Sequence, residues 1–178
     1  MEFEYKKNKI LADLFFGTLF LVFTIFITIM ILRTMILDWS QFSKSKIIFA
    51  IAAICLFSFL TYLYLGTAIV RYKYFKLNNK VDIKLDKQNQ KIIILDKQNN
   101  KQTEINFENV KSVELYYSWN TNPFSSDLGY SKLNIENSNP IIVTQNNLNQ
   151  YHIYKSFKNK VTKNKSNFLN TIKYKNYR

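Results

Sequence analysis

Apolar and polar residues follow two different patterns along the chain. In the first 70 residues, two long apolar runs are separated by one short polar interruption, whereas later apolar residues come in short runs between polar ones. The first long run, 11–32, contains Asp13 as its only charge, and the second, 47–70, contains none. A bilayer core of about 30 Å needs about 20 apolar residues in a helix. The pattern predicts two transmembrane helices, 11–32 and 47–70.

Basic residues flank the two predicted helices unequally. Seven lie before the first helix or just after the second, namely Lys6, Lys7, Lys9, Arg71, Lys73, Lys76 and Lys80, and three lie between the helices, namely Arg33, Lys44 and Lys46. The excess predicts that both termini are cytoplasmic, with 1–10 as the N-terminal segment and 33–46 as an external loop. The first run is also longer than the 7 to 15 apolar residues of a cleaved signal peptide.

Residues 71–178 have the pattern of β-strands, with short runs rich in Ile and Val bounded by Asn, Asp, Lys and Gln. We expect six or seven strands in this domain. The candidates are VDIKL, KIIIL, TEINF, NVKSVELYYS, SKLNIEN and PIIVTQ, with YKYFKL as a further strand or the end of the second helix.

The sequence Asp-Lys-Gln-Asn occurs twice, at 86–89 and 96–99, on either side of KIIIL. Asp and Asn suit turns because their side chains bond to the local backbone. A calcium loop would need oxygen ligands at alternating positions and a glycine bend, but a lysine stands second in each copy. The repeat predicts two turns rather than a metal site.

The last part of the domain predicts an amphipathic helix. Apolar residues there recur at helical spacing, and lysines cover the other positions. We expect this basic helix to close one end of the sheet, with a break near Ser166. Its apolar stripe consists of Tyr154, Phe157, Val161, Phe168 and Ile172.

The formal net charge of +13 lies mostly in residues 71–178, which hold 19 Lys and Arg against eight Asp and Glu. Such a balance suits an anionic membrane or nucleic acid, and composition alone does not choose between them. A domain tethered beside the inner leaflet would meet anionic lipid first. We therefore expect membrane lipids rather than nucleic acid as partners.

Few residues could perform catalysis. Cys55 is the only cysteine and lies in an apolar run, His152 is the only histidine, and there are three glycines. Disulfides, zinc clusters, a nucleophile pair and a glycine-rich phosphate loop are therefore excluded. The carboxylates are scattered, with no pair spaced for acid–base chemistry. We expect a protein that is not an enzyme and binds no cofactor or metal.

The order of elements resembles that of bacterial membrane-anchored pleckstrin-homology-like (PH-like) proteins. The resemblance rests on two adjacent spans followed by KIIIL, TEINFENVKSVEL, YSKLNIEN, IIVT and a helix, over about 71–172. It implies an α+β domain, with a strongly bent antiparallel sheet of six or seven strands and a C-terminal helix. It also implies binding of lipid headgroups or protein segments without catalysis, at the bacterial inner membrane.

Lysines in the first hairpin are the candidates for anionic-lipid contact. In lipid-binding members of the family this hairpin carries basic residues ending in a Lys-x-Arg-like pair. Here Ile93 stands where the arginine would be, which departs from the pattern. The candidate lipid contacts are Lys84, Lys87, Lys91, Lys155 and Lys158.

The loop 118–130 is the candidate partner-binding loop, because it lies between two predicted strands and holds two large aromatic residues, Trp119 and Phe124. The alternative is that both rings fold back onto the sheet. Taken together, the sequence predicts a non-catalytic binding or scaffold protein that contacts lipids and another membrane or cytoplasmic protein. Two alternatives stay open: an accessory subunit of a transport complex, acting through Asp13, and an anionic-lipid sensor.

Overall fold

The structure is a computed structural model, and it describes residues 7–37, 43–118, 124, 128–166 and 169–172. The chain divides into two compact units, one formed by Lys6–Ile69 and one formed mainly by Val70–Arg178. Helix α2 contributes residues to both units.

Two long helices contain the predicted apolar segments. Helix α1 spans Lys7–Leu37 and helix α2 spans Lys44–Asn78. Both are long and apolar enough to cross a membrane. The segment 72–77, which the sequence left open as strand or helix, belongs to α2.

Within the first unit, α1 and α2 pack closely around a glycine. A Cβ atom added at Gly17 would lie 2.5 Å from Leu65 Cδ2 and 3.1 Å from the Leu65 backbone nitrogen. Nearby, the ring centroid of Phe20 lies 6.1 Å from that of Phe57 and 5.5 Å from that of Tyr64. Gly17 therefore marks a point of close helix approach, although the sequence contains no glycine pair that would have predicted it.

Large apolar side chains on both helices remain exposed in the folded chain. Phe15 is 63% exposed, Phe26 58% and Phe49 76%. Threonine hydroxyls on these helices donate to backbone carbonyls one turn earlier, as in Thr24 Oγ1 to Phe20 O at 2.9 Å. These threonine hydroxyls are thus satisfied within their own helix, beside apolar side chains that remain exposed.

In the described part of the second unit there are seven strands and a short helix. Strands β1, β2 and β3 form one antiparallel sheet in that order, and the other four form a second sheet in the order β6-β5-β4-β7. The single, strongly bent antiparallel sheet implied by the family resemblance is therefore wrong, although the number of strands is confirmed. The bounds are β1 Val81–Asp86, β2 Lys91–Asp96, β3 Lys101–Asn106, β4 Val110–Ser118, β5 Tyr130–Ile135, β6 Ile141–Thr144, α3 Gln150–Ser156 and β7 Val161–Ser166.

A C-terminal helix is present as predicted, but its predicted length is wrong. Helix α3 has seven residues, a 3-10 turn follows at Lys158–Lys160, and the chain then enters β7. Strand β7 pairs with β4 in parallel, with Val113 opposite Val161. Residues 161–166 have a spacing that also suited a helix, but they form a strand that pairs with the edge of β4. The hydrogen bonds of this pairing outweigh the weak local preference for helix.

The main core of the second unit is built from the inward faces of both sheets and from α3. Alternation along β1 places Ile83 in this core, and Ile92 of β2 is fully buried. Ile153 of α3 and Phe157 beyond it complete the packing. The other buried members are Val110, Val113, Leu133 and Val143.

A second apolar cluster involves the end of α2. Val70 and Tyr74 are 1% and 0% exposed and pack with Leu128 and Tyr130. The ring of Tyr130 stacks on that of Tyr116, with centroids 4.7 Å apart and planes 12° apart. The last turns of α2 are therefore part of the second unit's packing.

Candidate functional site

The turn between β1 and β2 is held by Asp86. Its Oδ1 accepts hydrogen bonds from the backbone N–H groups of Gln88 and Asn89, both at 3.1 Å, and its Oδ2 accepts from Asn89 Nδ2 at 2.8 Å. Gln90 closes the turn with φ of 51°. The bond from the Asn89 amide, followed by the backbone bonds, holds the pKa of Asp86 below its ordinary value.

The second copy of the repeat forms the same kind of turn. Asp96 Oδ1 accepts from the backbone N–H of Gln98 at 2.8 Å, and Asp96 Oδ2 accepts from Asn99 Nδ2 at 2.9 Å. Asn100 occupies the left-handed region with φ of 49°. The prediction that the repeat turns the chain is confirmed. The carboxylates are occupied by the turns themselves.

Helix α3 lies across from the β1–β2 turn and is fixed at both ends. At its start, Asn149 Oδ1 accepts from the backbone N–H of Tyr151 at 2.9 Å, which caps the helix. Beyond its end, Lys160 Nζ donates to Val110 O at 2.7 Å. The rings of Phe157 and Phe107 lie 4.7 Å apart between these points.

Two grooves separate the β1–β2 hairpin from α3 and the turn that follows it. The first, of about 590 Å³, is lined on the hairpin side by Lys84–Gln88 and Ile93, and on the other by Leu148 and His152. The second, of about 480 Å³, is lined by Gln90, Phe107, Glu108 and residues 155–160. We call the first the edge groove, because its lining includes residues 84–86 of β1, an edge strand of its sheet.

The structure distributes the five candidate lipid-contacting lysines over three places. Lys84 and Lys87 line the edge groove, and Lys155 and Lys158 line the second groove. Lys91 lies in neither lining, and its Nζ pairs with Glu104 Oε2 at 2.8 Å. The hydrogen bond to Glu104 raises the pKa of Lys91, and the same bond is the main cause that lowers the pKa of Glu104.

Of the candidate partner-binding residues, Trp119 lies outside the described residues, and Phe124 packs against α3. Its ring centroid is 5.4 Å from those of both Tyr151 and Tyr154. Its backbone oxygen accepts from Gln145 Nε2 at 3.1 Å. The ring of Phe124 thus folds back onto the domain, where it packs on helix α3.

Two polar residues near the site were not singled out by the sequence. Asn147 bonds to the outer edge of β1, accepting from Ile83 N at 3.1 Å and donating to Val81 O at 2.8 Å. Gln150 is fully buried; it bonds to Ser131 Oγ and donates to Val143 O at 2.9 Å. Both residues lie in a polar stretch that suits a turn, and no sequence signal distinguishes them from their neighbours.

The edge groove presents groups that suit binding of a ligand. Among the described residues, no group of three His, Cys, Asp or Glu side chains lies together as metal ligands would. The edge groove offers ammonium groups, apolar side chains and strand backbone. These are features that recognise a ligand through charge, apolar contact and hydrogen bonds.

This architecture matches a known family model. A family model described as "PH domain" matches residues 2–168, a span that includes both long helices and all seven strands. Comparisons with curated proteins and with solved structures give no significant match. Since the match covers more than half of the sequence, the chain belongs to the PH-domain family.

Proposed function

We propose that the protein is a membrane-anchored, non-catalytic binding or scaffold protein, which presents its PH-like domain at the cytoplasmic face of a bacterial inner membrane. One observation carries the proposal. The helices α1 and α2 keep large apolar side chains exposed, whereas the domain that follows buries an apolar core of its own.

The membrane part of the proposal rests on what could cover the exposed apolar surface. A core helix of a soluble protein is mostly buried. In contrast, only 6% of the apolar stretch of α1 and 0% of the apolar stretch of α2 is buried. Contiguous apolar surface of this kind marks an interaction with a membrane or a partner. Helices of 31 and 35 residues exceed the roughly 20 that a bilayer core requires.

The orientation follows from charge. Seven basic residues lie within 6–9 and 71–80, around the start of α1 and the end of α2, whereas three, namely Arg33, Lys44 and Lys46, lie near the opposite helix ends. Positive charge is retained on the cytoplasmic side of membranes, which supports a cytoplasmic location for both termini and the PH-like domain.

The proposed binding role is supported by the PH-domain family and by the two grooves on the domain. PH domains commonly bind lipids or proteins, and the grooves beside the β1–β2 hairpin are open and carry exposed lysines. We favour a protein partner because the lysines of the edge groove lie beside the apolar side chains of Leu85, Ile93 and Leu148. A polypeptide can contact such apolar side chains as well as the lysines, whereas an anionic headgroup engages mainly the lysines.

An anionic-lipid sensor is the second candidate. It is supported by exposed lysines in both grooves, each of which could contribute about 1 kcal/mol when close to an anionic surface. Replacing Lys84, Lys87, Lys155 and Lys158 with Gln would then abolish binding to phosphatidylglycerol vesicles. Unchanged binding would argue for the protein partner.

The direct test uses the full-length protein in its native membrane. A photo-crosslinking residue is placed at Lys87 in the edge groove and, as a matched control, at Lys97 in the equivalent position of the second turn. After alkaline extraction the protein should stay in the membrane pellet, and Lys87 should give protein adducts that Lys97 does not. Release into the alkaline supernatant, or equal adducts from both positions, would contradict the proposal.

A further inference from the structure

Strand β1 forms one edge of the three-stranded sheet, and part of its backbone points outward. The carbonyl of Lys80 accepts from the N–H of Lys97 at 2.9 Å, which fixes the phase of the β1–β2 ladder. Hydrogen-bonded pairs alternate along antiparallel strands, so the even-numbered residues of β1 bond to β2. The odd-numbered residues direct their N–H and C=O groups away from the sheet: Val81, Ile83 and Leu85.

The Asn147 side chain covers the first part of this edge. Its amide carries the same donor and acceptor as a peptide group, and it bonds to Val81 O and Ile83 N as a neighbouring strand would. The cover ends there. No described residue hydrogen-bonds to the outward N–H or C=O of Leu85.

The uncovered part of the edge opens into the edge groove. Leu85 and Leu148 give the groove an apolar surface, and Lys84 and Lys87 are exposed beside it. Asp86 also lines the groove, but its carboxylate already accepts three hydrogen bonds within the turn. Positive charge, apolar surface and an open strand edge therefore meet in one place.

We propose that an extended, acidic segment of a partner protein adds to the outer edge of β1 at Leu85 and lies in the edge groove. This inference rests on the proposed binding function and names the class of partner. Backbone groups of the segment pair with Leu85, which requires an extended chain. Its acidic side chains meet Lys84 and Lys87, and an apolar side chain between them contacts Leu85 and Leu148.

The groove suits a peptide better than a lipid headgroup. A volume of about 590 Å³ is in the range of small-ligand sites, but a headgroup has no regular donor and acceptor pattern to pair with a strand edge. The other candidate lysines do not reinforce this site, because Lys155 and Lys158 line the second groove and Lys91 is paired with Glu104. Exposed strand edges are also readily paired by other chains.

The test measures binding of a short fluorescent peptide of alternating Glu and Val to the full-length protein in detergent. A peptide with Lys in place of Glu is the control ligand. Leu85→Pro removes the outward N–H without removing a ladder bond, and Gln102→Pro makes the matching change on β3, the opposite edge of the same sheet. Lys84→Glu with Lys87→Glu reverses the groove charge, and Lys97→Glu with Lys101→Glu reverses the same charge elsewhere.

We expect the acidic peptide to bind and the basic one not to bind. Leu85→Pro and the Lys84/Lys87 variant should each weaken binding at least about fivefold, and both matched controls should leave it unchanged. If Leu85→Pro fails to fold, as its circular dichroism would show, the charge variants decide.

Equal binding of both peptides, or binding that none of the variants changes, would overturn the inference. Loss of phosphatidylglycerol-vesicle binding by the Lys84/Lys87 variant, without binding of the acidic peptide, would also overturn it in favour of lipid. Either result would leave the membrane-anchored binding role standing if Lys87 still gives specific protein adducts in native membranes. Extraction of the protein at alkaline pH would instead contradict the proposed function itself.

Discussion

The hydroxyl of Tyr74 donates a hydrogen bond to the carbonyl oxygen of Asn170, 2.9 Å away, so the end of α2 is tied to a segment 96 residues later. The same hydroxyl lies 3.1 Å from Leu128 O, which also accepts from Asn170 Nδ2 at 2.9 Å. Since Tyr74 is fully buried, water does not replace these bonds. This small network fastens the last turns of α2 into the packing of the second unit.

Replacing Tyr74 with Phe should therefore destabilise the domain. The ring still fills its site, but the buried carbonyl groups lose a donor, which costs about 1–3 kcal/mol. Tyr72→Phe is the control, because Tyr72 is 58% exposed, and it should change stability by less than about 0.5 kcal/mol. Thermal unfolding in detergent, followed by circular dichroism, measures both. Equal midpoints for the two variants would show that the network does not contribute.

Gly17→Val should separate α1 from α2. A Cβ at this position would lie 2.5 Å from the Leu65 side chain and 3.1 Å from its backbone nitrogen, and the two further methyl groups of valine need more room still. Ala52→Val adds similar bulk at an exposed position of α2 and is the control. Cysteines replacing Phe23 and Phe57, whose ring centroids lie 5.8 Å apart, report the separation through crosslinking in a Cys55→Ser background.

We expect efficient crosslinking with Gly17 present and with Ala52→Val, and little with Gly17→Val. Efficient crosslinking in the Gly17→Val protein would contradict the close approach of the two helices.

The turn carboxylates should titrate below the ordinary Asp value of 3.8, because amide groups hydrogen-bond to their charged form. Asn89→Ala should raise the pKa of Asp86 and leave that of Asp96 unchanged, and Asn99→Ala should do the reverse. Carboxyl chemical shifts followed by NMR measure both values. If either variant changed the pKa values of both Asp86 and Asp96, the lowering of each pKa would not come from its own turn.

The sign of the stability effect follows from the lowered pKa values. A carboxyl group with a lower pKa in the folded state than in the unfolded state stabilises the fold above its unfolded pKa. This stabilisation is lost as the pH falls through the folded pKa. Each alanine variant should therefore be less stable than the parent at neutral pH, and the difference should shrink under acidic conditions.

A half-buried polar cluster joins β4 to β5. Glu114 accepts hydrogen bonds from Lys132 Nζ at 3.0 Å, from Asn134 Nδ2 at 2.8 Å and from the Tyr116 hydroxyl. Burial alone would raise the pKa of Glu114, but the bonds from Tyr116, Asn134 and Lys132 together outweigh it and lower the pKa.

Lys132→Met should accordingly raise the pKa of Glu114 and move acid unfolding to higher pH. The folded pKa of Glu114 is lowered in the parent, so its contribution is lost as the pH falls, and losing Lys132 brings that loss to a higher pH. The Lys111–Glu136 pair, at 3.5 Å with side chains 61% and 54% exposed, supplies the control. Lys111→Met should leave the acid midpoint nearly unchanged, since exposed pairs contribute little. Equal shifts of the acid-unfolding midpoint in the Lys132→Met and Lys111→Met variants would contradict a special role for Glu114.

Sequence patterns predicted the parts of this fold whose conformation depends on residues nearby in the sequence. The alternation in VDIKL and the continuous apolar run KIIIL correspond to β1 and β2, and the Asp-Lys-Gln-Asn repeats correspond to the turns beside them. In these segments a residue's neighbours along the chain decide its conformation.

Features that depend on distant partners were not predictable in the same way. Val161–Ser166 is a strand because it pairs with β4, and its Lys163 places its ammonium 4.9 Å from the ring centre of Tyr154. Asn147 caps the edge of β1 through contacts that span 64 and 66 residues of sequence. The edge groove likewise forms only when α3 lies beside the first hairpin. The lysines of the groove could therefore be predicted from the sequence, but the open strand edge beside them could not.

The sidedness of the proposed membrane anchor is the most direct test of the proposed function. In a Cys55→Ser background, single cysteines at Ser43, between the helices, and at Lys101, on exposed β3, are treated with a membrane-impermeant maleimide in intact spheroplasts. We expect labelling at Ser43 only, with Lys101 becoming reactive after lysis. Labelling at Lys101 in intact spheroplasts would place the domain outside the cell and contradict the account.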